Sequence, residues 1–156
     1  MNCKEKVESY LRDNQVSFEI HHHPTAFTAQ EVAASEHTPG KMVVKVVMVL
    51  ADGELVMLAM PAPYKADLNR LGEALGATEV RLANEEEFAS AFPDCEVGAM
   101  PPFGNLYDLP VYVDEALAED ETIVVQAGTH TDTVHLKYAD FERLVEPTVV
   151  GFAYHT

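Results

Sequence analysis

The chain has 156 residues, no tryptophan and only two cysteines. It contains no apolar run of about 18 residues, so we expect no membrane-spanning helix. Its first residues show no apolar signal-peptide segment. Cys3 and Cys95 lie far apart and lack the spacing of a metal site, so we expect two reduced thiols. Together these absences predict a cytoplasmic protein that does not contact the membrane.

Basic residues are also scarce, because 10 lysines and arginines stand against 26 acids and the net charge is −16. The imbalance is greatest in residues 82–136, which hold twelve acids and no lysine or arginine. Broad binding of duplex DNA requires that many phosphates be neutralised, so the sequence argues against it. Any contact with nucleic acid would be local and would use basic residues of the N-terminal half: Lys41, Lys45, Lys65 and Arg70.

Common cofactor and catalytic motifs are absent as well. The sequence has no GxGxxG, Walker, GxSxG or HExxH pattern, and we expect no cofactor and no serine nucleophile. His21 and His23 share one face of a short strand and could bind zinc, but a third ligand would have to come from elsewhere in the chain. We favour a polar strand end and predict no metal. A metal-dependent hydrolase that uses these histidines with a distant acid stays open as an alternative.

The hydrophobic pattern indicates one α+β domain over residues 1–156. Several short strands are linked by hairpin signals, so we predict a mainly antiparallel mixed sheet or open barrel surrounded by short helices. The central strand is the β-branched run of residues 41–50, which we expect to be buried on both faces. Asp52-Gly53 predicts a hairpin to a second apolar strand over residues 54–60.

Capping signals and periodicity place helices beside these strands. Thr28 and Glu31 form a capping box that predicts a helix ending near Glu36. Further helices are predicted over residues 2–13 and 67–75. Residues 92–104 are too rich in proline and glycine for regular structure, and long loops of this kind are often functional.

Lys45 is the unusual residue of the central strand. It stands among valines and has no acidic neighbour in the sequence. Burial disfavours a charged ammonium and can lower the pKa of a lysine by several units. The side chain therefore either reaches water at the edge of the strand or has a chemical role, and the strand alone leaves both alternatives open.

Lys45 is one of a series of motifs that cover most of the chain. In order they are His23-Pro24 with Thr28–Ala33, Lys45, Leu68 and Leu71 with Gly76, Gly98-x-x-x-Pro102-Phe-Gly104, Val111–Asp114 and Ala127-Gly128. With these motifs the chain resembles the YbaK/prolyl-tRNA-synthetase-associated domain family, the free-standing aminoacyl-tRNA deacylases. The Gly98-x-x-x-Pro102 spacing and His130 are similar to the branch that clears alanine or other small amino acids from tRNA for proline.

The resemblance implies an ester hydrolase with the fold of that domain and no cofactor. Lys45 would be the catalytic residue and would hold the ester carbonyl or the terminal phosphate–ribose end of the tRNA. The implied substrate-binding residues are Phe27, Thr28, Gly98, Pro102, Gly128 and His130. Phe27 and His130 would line the amino acid pocket, and the two glycine loops would supply backbone N–H donors. Val46 stands where the family often has a small polar residue, which leaves the amino acid specificity open.

The implied partners are the acceptor end of an aminoacyl-tRNA and a prolyl-tRNA synthetase that would hold the tRNA. The acidic composition fits an enzyme that touches only the acceptor end. Selectivity would come from the size of the pocket, as in double-sieve editing. The alternative function is a non-catalytic module of the same fold that binds an amino acid, a synthetase or the tRNA end.

Overall fold

The computed structural model describes residues 1–156 and has the expected α+β class. Its helices are α1 (Cys3–Asp13), α2 (Ala29–Ser35), α3 (Leu68–Leu75), α4 (Glu85–Phe88) and α5 (Tyr138–Val145). Its strands are β1 (Phe18–His22), β2 (Val44–Ala51), β3 (Glu54–Pro61), β4 (Tyr64–Ala66), β5 (Val80–Leu82), β6 (Val111–Asp114), β7 (Thr122–Gln126), β8 (Asp132–Lys137), β9 (Thr148–Val150) and β10 (Ala153–His155). None of the helices has the length and the apolar composition that crossing a membrane requires.

The strands form three sheets, none of which closes into a barrel. The largest has the order β5-β2-β3-β6-β9, a second has the order β1-β8-β7, and β4 pairs with β10 alone. The predicted hairpin is confirmed, since β2 and β3 pair antiparallel around Asp52-Gly53. The first sheet is mixed because β6 runs parallel to both β3 and β9. The prediction of a mainly antiparallel mixed sheet is therefore confirmed.

The central strand is shorter and less enclosed than its sequence predicts. It begins at Val44, because residues Gly40–Met42 form a turn of 3₁₀-helix. Strand β5 pairs only with residues 49–51 of β2, so the first half of β2 pairs only with β3, although Val43 directly before it forms an isolated parallel bridge with Val124 of β7. Lys45 and Val46 lie in this half and are partly exposed. The expected burial on both faces thus holds only toward the far end of the strand.

Helix α2 places its N-terminus close to β2. Thr28 caps the helix, since its Oγ1 accepts the Glu31 N–H at 3.0 Å, as the capping signal predicts. The helix packs on a cluster of small, buried side chains: Ala26, Ala29, Val32, Ala33, Val43, Ala62 and Val124. Such short side chains let the helix backbone lie near the sheets, and residues 27–30 come to face the open half of β2.

The prediction of two reduced thiols is wrong, because Cys3 and Cys95 form a disulfide with their Cα atoms 5.0 Å apart. Cys3 begins α1, and its backbone N–H donates to the Asp94 carbonyl at 3.1 Å. The docking of α1 thus brings Cys3 next to Cys95, which lies 92 positions further along the chain. The pairing depends on how α1 docks against the loop before Gly98, and cysteine spacing in the sequence carries no information on that contact.

Candidate functional site

A cavity of about 290 Å³ opens where the start of α2, the first half of β2, the end of β7 and the Gly98 loop meet. It is lined by Phe27, Thr28, Ala29, Gln30, Lys45, Val46, Gly98 and Gln126. The structure thus brings together four of the seven residues singled out in the sequence. The other three, Pro102, Gly128 and His130, lie in the segments behind the cavity.

Lys45 presents a partly buried ammonium group at this cavity. Its Nζ donates to the Tyr64 carbonyl at 2.7 Å, and no carboxylate lies within 4.0 Å of it. Burial, followed by the nearby charge of Lys65, lowers the pKa of the Lys45 ammonium below its usual value. An ammonium has three N–H donors, so two are left for a ligand. The site therefore offers a positive charge with no counterion to an oxygen-bearing group.

Phe27 and Thr28 occupy the entrance and the wall of the cavity. Phe27 is 64% exposed and forms an apolar rim. The Thr28 hydroxyl is already engaged, because it accepts the Glu31 N–H and donates to Glu31 Oε1 at 3.2 Å. Thr28 consequently shapes the wall of the cavity as a helix cap and has no free hydroxyl for a nucleophilic role.

His130 fastens the loop that carries Gly98. Its Nε2 donates to the Val97 carbonyl at 2.9 Å, and its backbone N–H donates to Glu96 Oε1 at 3.0 Å. Its ring also packs against Phe27, with the centroids 4.9 Å apart. His130 therefore contacts Phe27 of the cavity directly and holds the Gly98 loop through its bonds to Glu96 and Val97.

The two glycines have different surroundings. Both have positive φ angles, +87° for Gly98 and +93° for Gly128. The Gly98 N–H points to Met100 Sδ at 3.1 Å, a weak acceptor that a ligand can replace. The Gly128 N–H donates to the Ala99 carbonyl at 2.9 Å. A Cβ at Gly128 would collide with the Cys3 side chain, so this glycine permits α1 to pack and its amide is not free for a substrate.

Pro102 lies in the buried run of residues 99–104 and does not line the cavity. The following Phe103 is fully buried and packs edge-on against the Phe141 ring at 5.6 Å. A Cβ at Gly104 would come within 2.6 Å of Val111 Cγ2, which explains the glycine. This buried run packs into the core directly after the Gly98 loop, and a role of Pro102 in the site stays a prediction.

A model of the family "Aminoacyl-tRNA editing domain" matches residues 23–144, which contain all four residues of the predicted set that line the cavity. The chain belongs to the aminoacyl-tRNA editing domain family. The match confirms the family resemblance that the motifs indicate, and it covers more than half of the chain.

Two curated relatives and one solved structure are similar to this editing domain. The multifunctional Ser/Thr-tRNA deacylase ProXp-y of Escherichia coli K12 is 33% identical over 98 residues, which cover 62% of this chain and 58% of that protein. The prolyl-tRNA editing protein ProX of Acetoanaerobium sticklandii is 24% identical over 94% of this chain and 92% of its own length. One solved crystal structure superposes on this chain with a TM-score of 0.84, at 19% identity and 97% coverage of both chains. The protein in it was assigned as a candidate trans-editing enzyme for prolyl-tRNA synthetase. That likeness shows the fold.

Gln126 is a residue of the cavity in this editing domain that the sequence analysis did not single out, as are Ala29 and Gln30. Gln126 is 8% exposed, and its Oε1 is buried with no hydrogen-bond partner. An unpartnered buried carbonyl oxygen costs about 1–3 kcal/mol, so it calls for an explanation. A polar residue at the end of the apolar run Ile123–Val125, directly before Ala127-Gly128, was the available signal. Gln126 lines the same cavity as Lys45, which makes it a candidate to bind a donor on a ligand.

Proposed function

We propose that this editing domain is a trans-acting aminoacyl-tRNA deacylase, which hydrolyses the ester between an amino acid and the terminal ribose of a tRNA. The observation that carries the proposal is the Lys45 ammonium, which has no counterion and lines a cavity with Gly98 and Phe27. Family membership supports the reaction class, since editing of an aminoacyl-tRNA requires that this ester be cleaved.

Water is the nucleophile in this proposal. The cavity contains no serine, cysteine or histidine side chain, and its one hydroxyl, on Thr28, is used as a helix cap. Water adds to the ester carbonyl and negative charge develops on the carbonyl oxygen. The bond from the carbonyl carbon to the ribose oxygen then breaks, and the proton that the water gives up passes to the ribose oxygen, which leaves as a hydroxyl. Lys45 stabilises that oxygen, and Gln126 Oε1 accepts a hydrogen bond from the α-ammonium of the amino acid. Fixed donors of this kind act most strongly on charge that forms during the reaction.

The proposed substrates carry a small amino acid. Binding cavities for small molecules usually measure about 300–1,000 Å³, and this cavity lies at the lower limit. Alanine on tRNA for proline is the first candidate, since the Gly98–Pro102 spacing and His130 match that branch. Serine and threonine follow because of the relative that is named for them. The apolar Val46 in the wall favours a side chain without a polar group.

The proposed contact with tRNA is confined to the acceptor end. We propose that Lys65 meets a terminal phosphate, because it is exposed, makes no ion pair and lies close enough to lower the pKa of Lys45. Lys41 is less free, because its Nζ lies 3.8 Å from Asp120 Oδ1. Because the protein has a net charge of −16, it is poorly suited to hold the phosphates of a whole tRNA by itself. We therefore propose that a prolyl-tRNA synthetase holds the tRNA, in the cytoplasm.

The direct test is a panel of mischarged tRNAs for proline that carry alanine, cysteine, serine or threonine, with correctly charged prolyl-tRNA as the control. We expect release of alanine well above the rate without protein and little release of proline. Binding of the charged tRNAs without any loss of the ester would instead support the non-catalytic alternative.

Deacylation should depend on pH through Lys45. Since the pKa of this ammonium is lowered and its charged form holds the oxygen, activity is full below that pKa and is lost as the pH rises through it. The loss should therefore begin at a lower pH than for an ordinary lysine. The rate is measured after subtraction of spontaneous ester hydrolysis. Lys65→Ala removes a like charge and should move the decline to higher pH, whereas identical profiles for both proteins would contradict the role of the charge.

Replacement of Gln126 by leucine should move activity and stability in different directions. The change removes the acceptor for the α-ammonium, and a hydrogen bond to a charged group contributes about 1.5–3 kcal/mol. We expect kcat/KM to fall roughly 10- to 100-fold. The free energy of unfolding should hold or rise, because an unpartnered buried oxygen is lost. Deacylation assays and urea unfolding measure the two effects, and wild-type activity in Gln126→Leu would show that Oε1 does not touch the substrate.

A further inference from the structure

A second group of polar side chains lies at the other end of α2, away from the cavity. We call it the Glu36 cluster and define it as His21, His23, Glu36, Thr133 and His135. The Glu36 side chain is only 5% exposed. Its Oε1 lies 2.8 Å from His135 Nε2, and its Oε2 accepts the Thr133 hydroxyl at 2.6 Å. None of the five residues lines the cavity that contains Lys45.

Pairing of strands β1 and β8 brings two histidines together over this carboxylate. His21 pairs with Thr133, and His135 pairs with Glu19, so both histidines project from the same face of the two strands. Their rings stack with centroids 3.9 Å apart. One donor atom each from His21, Glu36 and His135 lies within 4.8 Å of the other two. The third ligand that the sequence could not supply is therefore provided by the fold.

The environment of Glu36 lacks the positive charge that a buried carboxylate needs. No lysine or arginine nitrogen lies within 4.0 Å of it, and the only basic side chains in contact with its carboxylate are the imidazoles of His23 and His135. A buried carboxylate is retained when it is paired or when it binds a metal. Glu36 is thus a buried carboxylate whose partners are one hydroxyl and imidazole nitrogens, and these are the surroundings in which a bound cation would supply the missing charge.

His23 provides an independent sign of a missing cation. Its side chain is 2% exposed, and its Nδ1 lies 2.7 Å from the Pro24 carbonyl, which can only accept a hydrogen bond. Nδ1 therefore carries the hydrogen, and in the neutral ring Nε2 is an acceptor. This Nε2 has no partner and faces Glu36 Oε2 at 3.7 Å, so two acceptors point toward each other in a buried site. Histidines that bind metals commonly donate their second ring N–H to a carbonyl in the same way.

We propose that the Glu36 cluster binds a divalent transition metal of the zinc class, with His21, Glu36 and His135 as ligands. Imidazole nitrogens with one carboxylate suit zinc, copper or nickel, whereas magnesium and calcium prefer oxygen ligands alone. Zinc bonds to these atoms measure about 2.0–2.2 Å, so the exposed His21 ring moves inward on binding. His23 Nε2, which lies 3.7 Å from Glu36 Oε2, is a buried further donor. The metal fixes the end of α2 to β1 and β8 and takes no part in ester hydrolysis.

The test is zinc binding by tag-free, chelator-treated protein in a non-reducing buffer that keeps the cysteines paired. Calorimetry with a competing chelator should show one zinc per chain. Zinc at about 100 times its Kd should raise Tm by roughly 5–10 °C. Absence of stoichiometric binding would overturn the proposal, and so would binding that does not change Tm.

Three variants locate the site. His21→Gln and His135→Gln should each weaken zinc binding at least about 100-fold. His21→Gln is the decisive variant, because His21 bonds only to the exposed Glu19 and its loss leaves the Glu36 contacts intact. His22→Gln is the matched control, since His22 lies on the same strand but on the opposite face and should keep wild-type affinity.

Two outcomes would refute the assignment: wild-type zinc affinity in His21→Gln, or an equal loss of affinity in His22→Gln. Deacylation by His21→Gln should be unchanged, so this test stands apart from the proposed function.

Discussion

Lys45→Ala should lower kcat/KM for deacylation of alanyl-tRNA for proline by roughly 10²- to 10³-fold. Removal of one donor that stabilises an oxyanion typically has an effect of this size. Lys45 is the only lysine or arginine among the residues that line the cavity. The measurement is the initial rate of release of alanine at several tRNA concentrations.

The fold should survive this substitution. Lys45 lies in the half of β2 that has one neighbouring strand, and its amine makes a single hydrogen bond within the protein, to the Tyr64 carbonyl. The urea midpoint should therefore stay close to the wild-type value. Lys137→Ala, which removes an exposed lysine at the end of β8, is the matched control and should retain full activity. A normal rate in Lys45→Ala would exclude Lys45 from the reaction.

Asp114→Ala should destabilise the protein by about 3–5 kcal/mol. Asp114 is 2% exposed, and its Oδ1 accepts the backbone N–H groups of Phe152 and Ala153 at 2.9 and 2.8 Å. Its Oδ2 accepts the Ala116 N–H at 3.0 Å. The substitution leaves these donors without a partner, and a buried unsatisfied donor costs about 1–3 kcal/mol. Urea unfolding followed by circular dichroism measures the change.

The same substitution should also reduce activity. Asp114 fixes the start of β10, and β10 pairs with β4, which contains Tyr64 and Lys65. The Tyr64 carbonyl in turn holds the Lys45 amine. Asp13→Ala is the control, because Asp13 is an exposed aspartate at the end of α1 and its loss should change the free energy of unfolding by less than about 0.5 kcal/mol. Equal stability of the two variants would show that the Asp114 bonds are not important.

Local signals in the sequence were reliable where a few neighbouring residues decide the structure. The Asp52-Gly53 turn and the Thr28 cap both form as predicted, because a tight turn and a helix start depend on the preferences of adjacent residues. Lys45 stood out for the same reason, as a charge within a run of valines. The Val111–Asp114 motif was also visible, although its physical role as an anchor for β10 was not.

Contacts between distant segments were decided by tertiary structure. The sequence could not show that Cys3 meets Cys95, because that pairing follows from how α1 docks. Gly128 was expected to offer its amide to a substrate, yet the fold uses the amide for Ala99 and the missing side chain for Cys3. Gln126 was overlooked because its unpartnered oxygen exists only once β7 lies beside the cavity.

The sequence by itself determined the α+β class and the family and singled out Lys45 as a candidate, since these follow from hydrophobic periodicity and from motifs a few residues long. Only the tertiary structure decided which side chains surround that lysine. It also brought His135 and Glu36 next to His21. Cavities and ligand sets are formed by residues far apart in the chain, and their distances are fixed by packing and strand pairing.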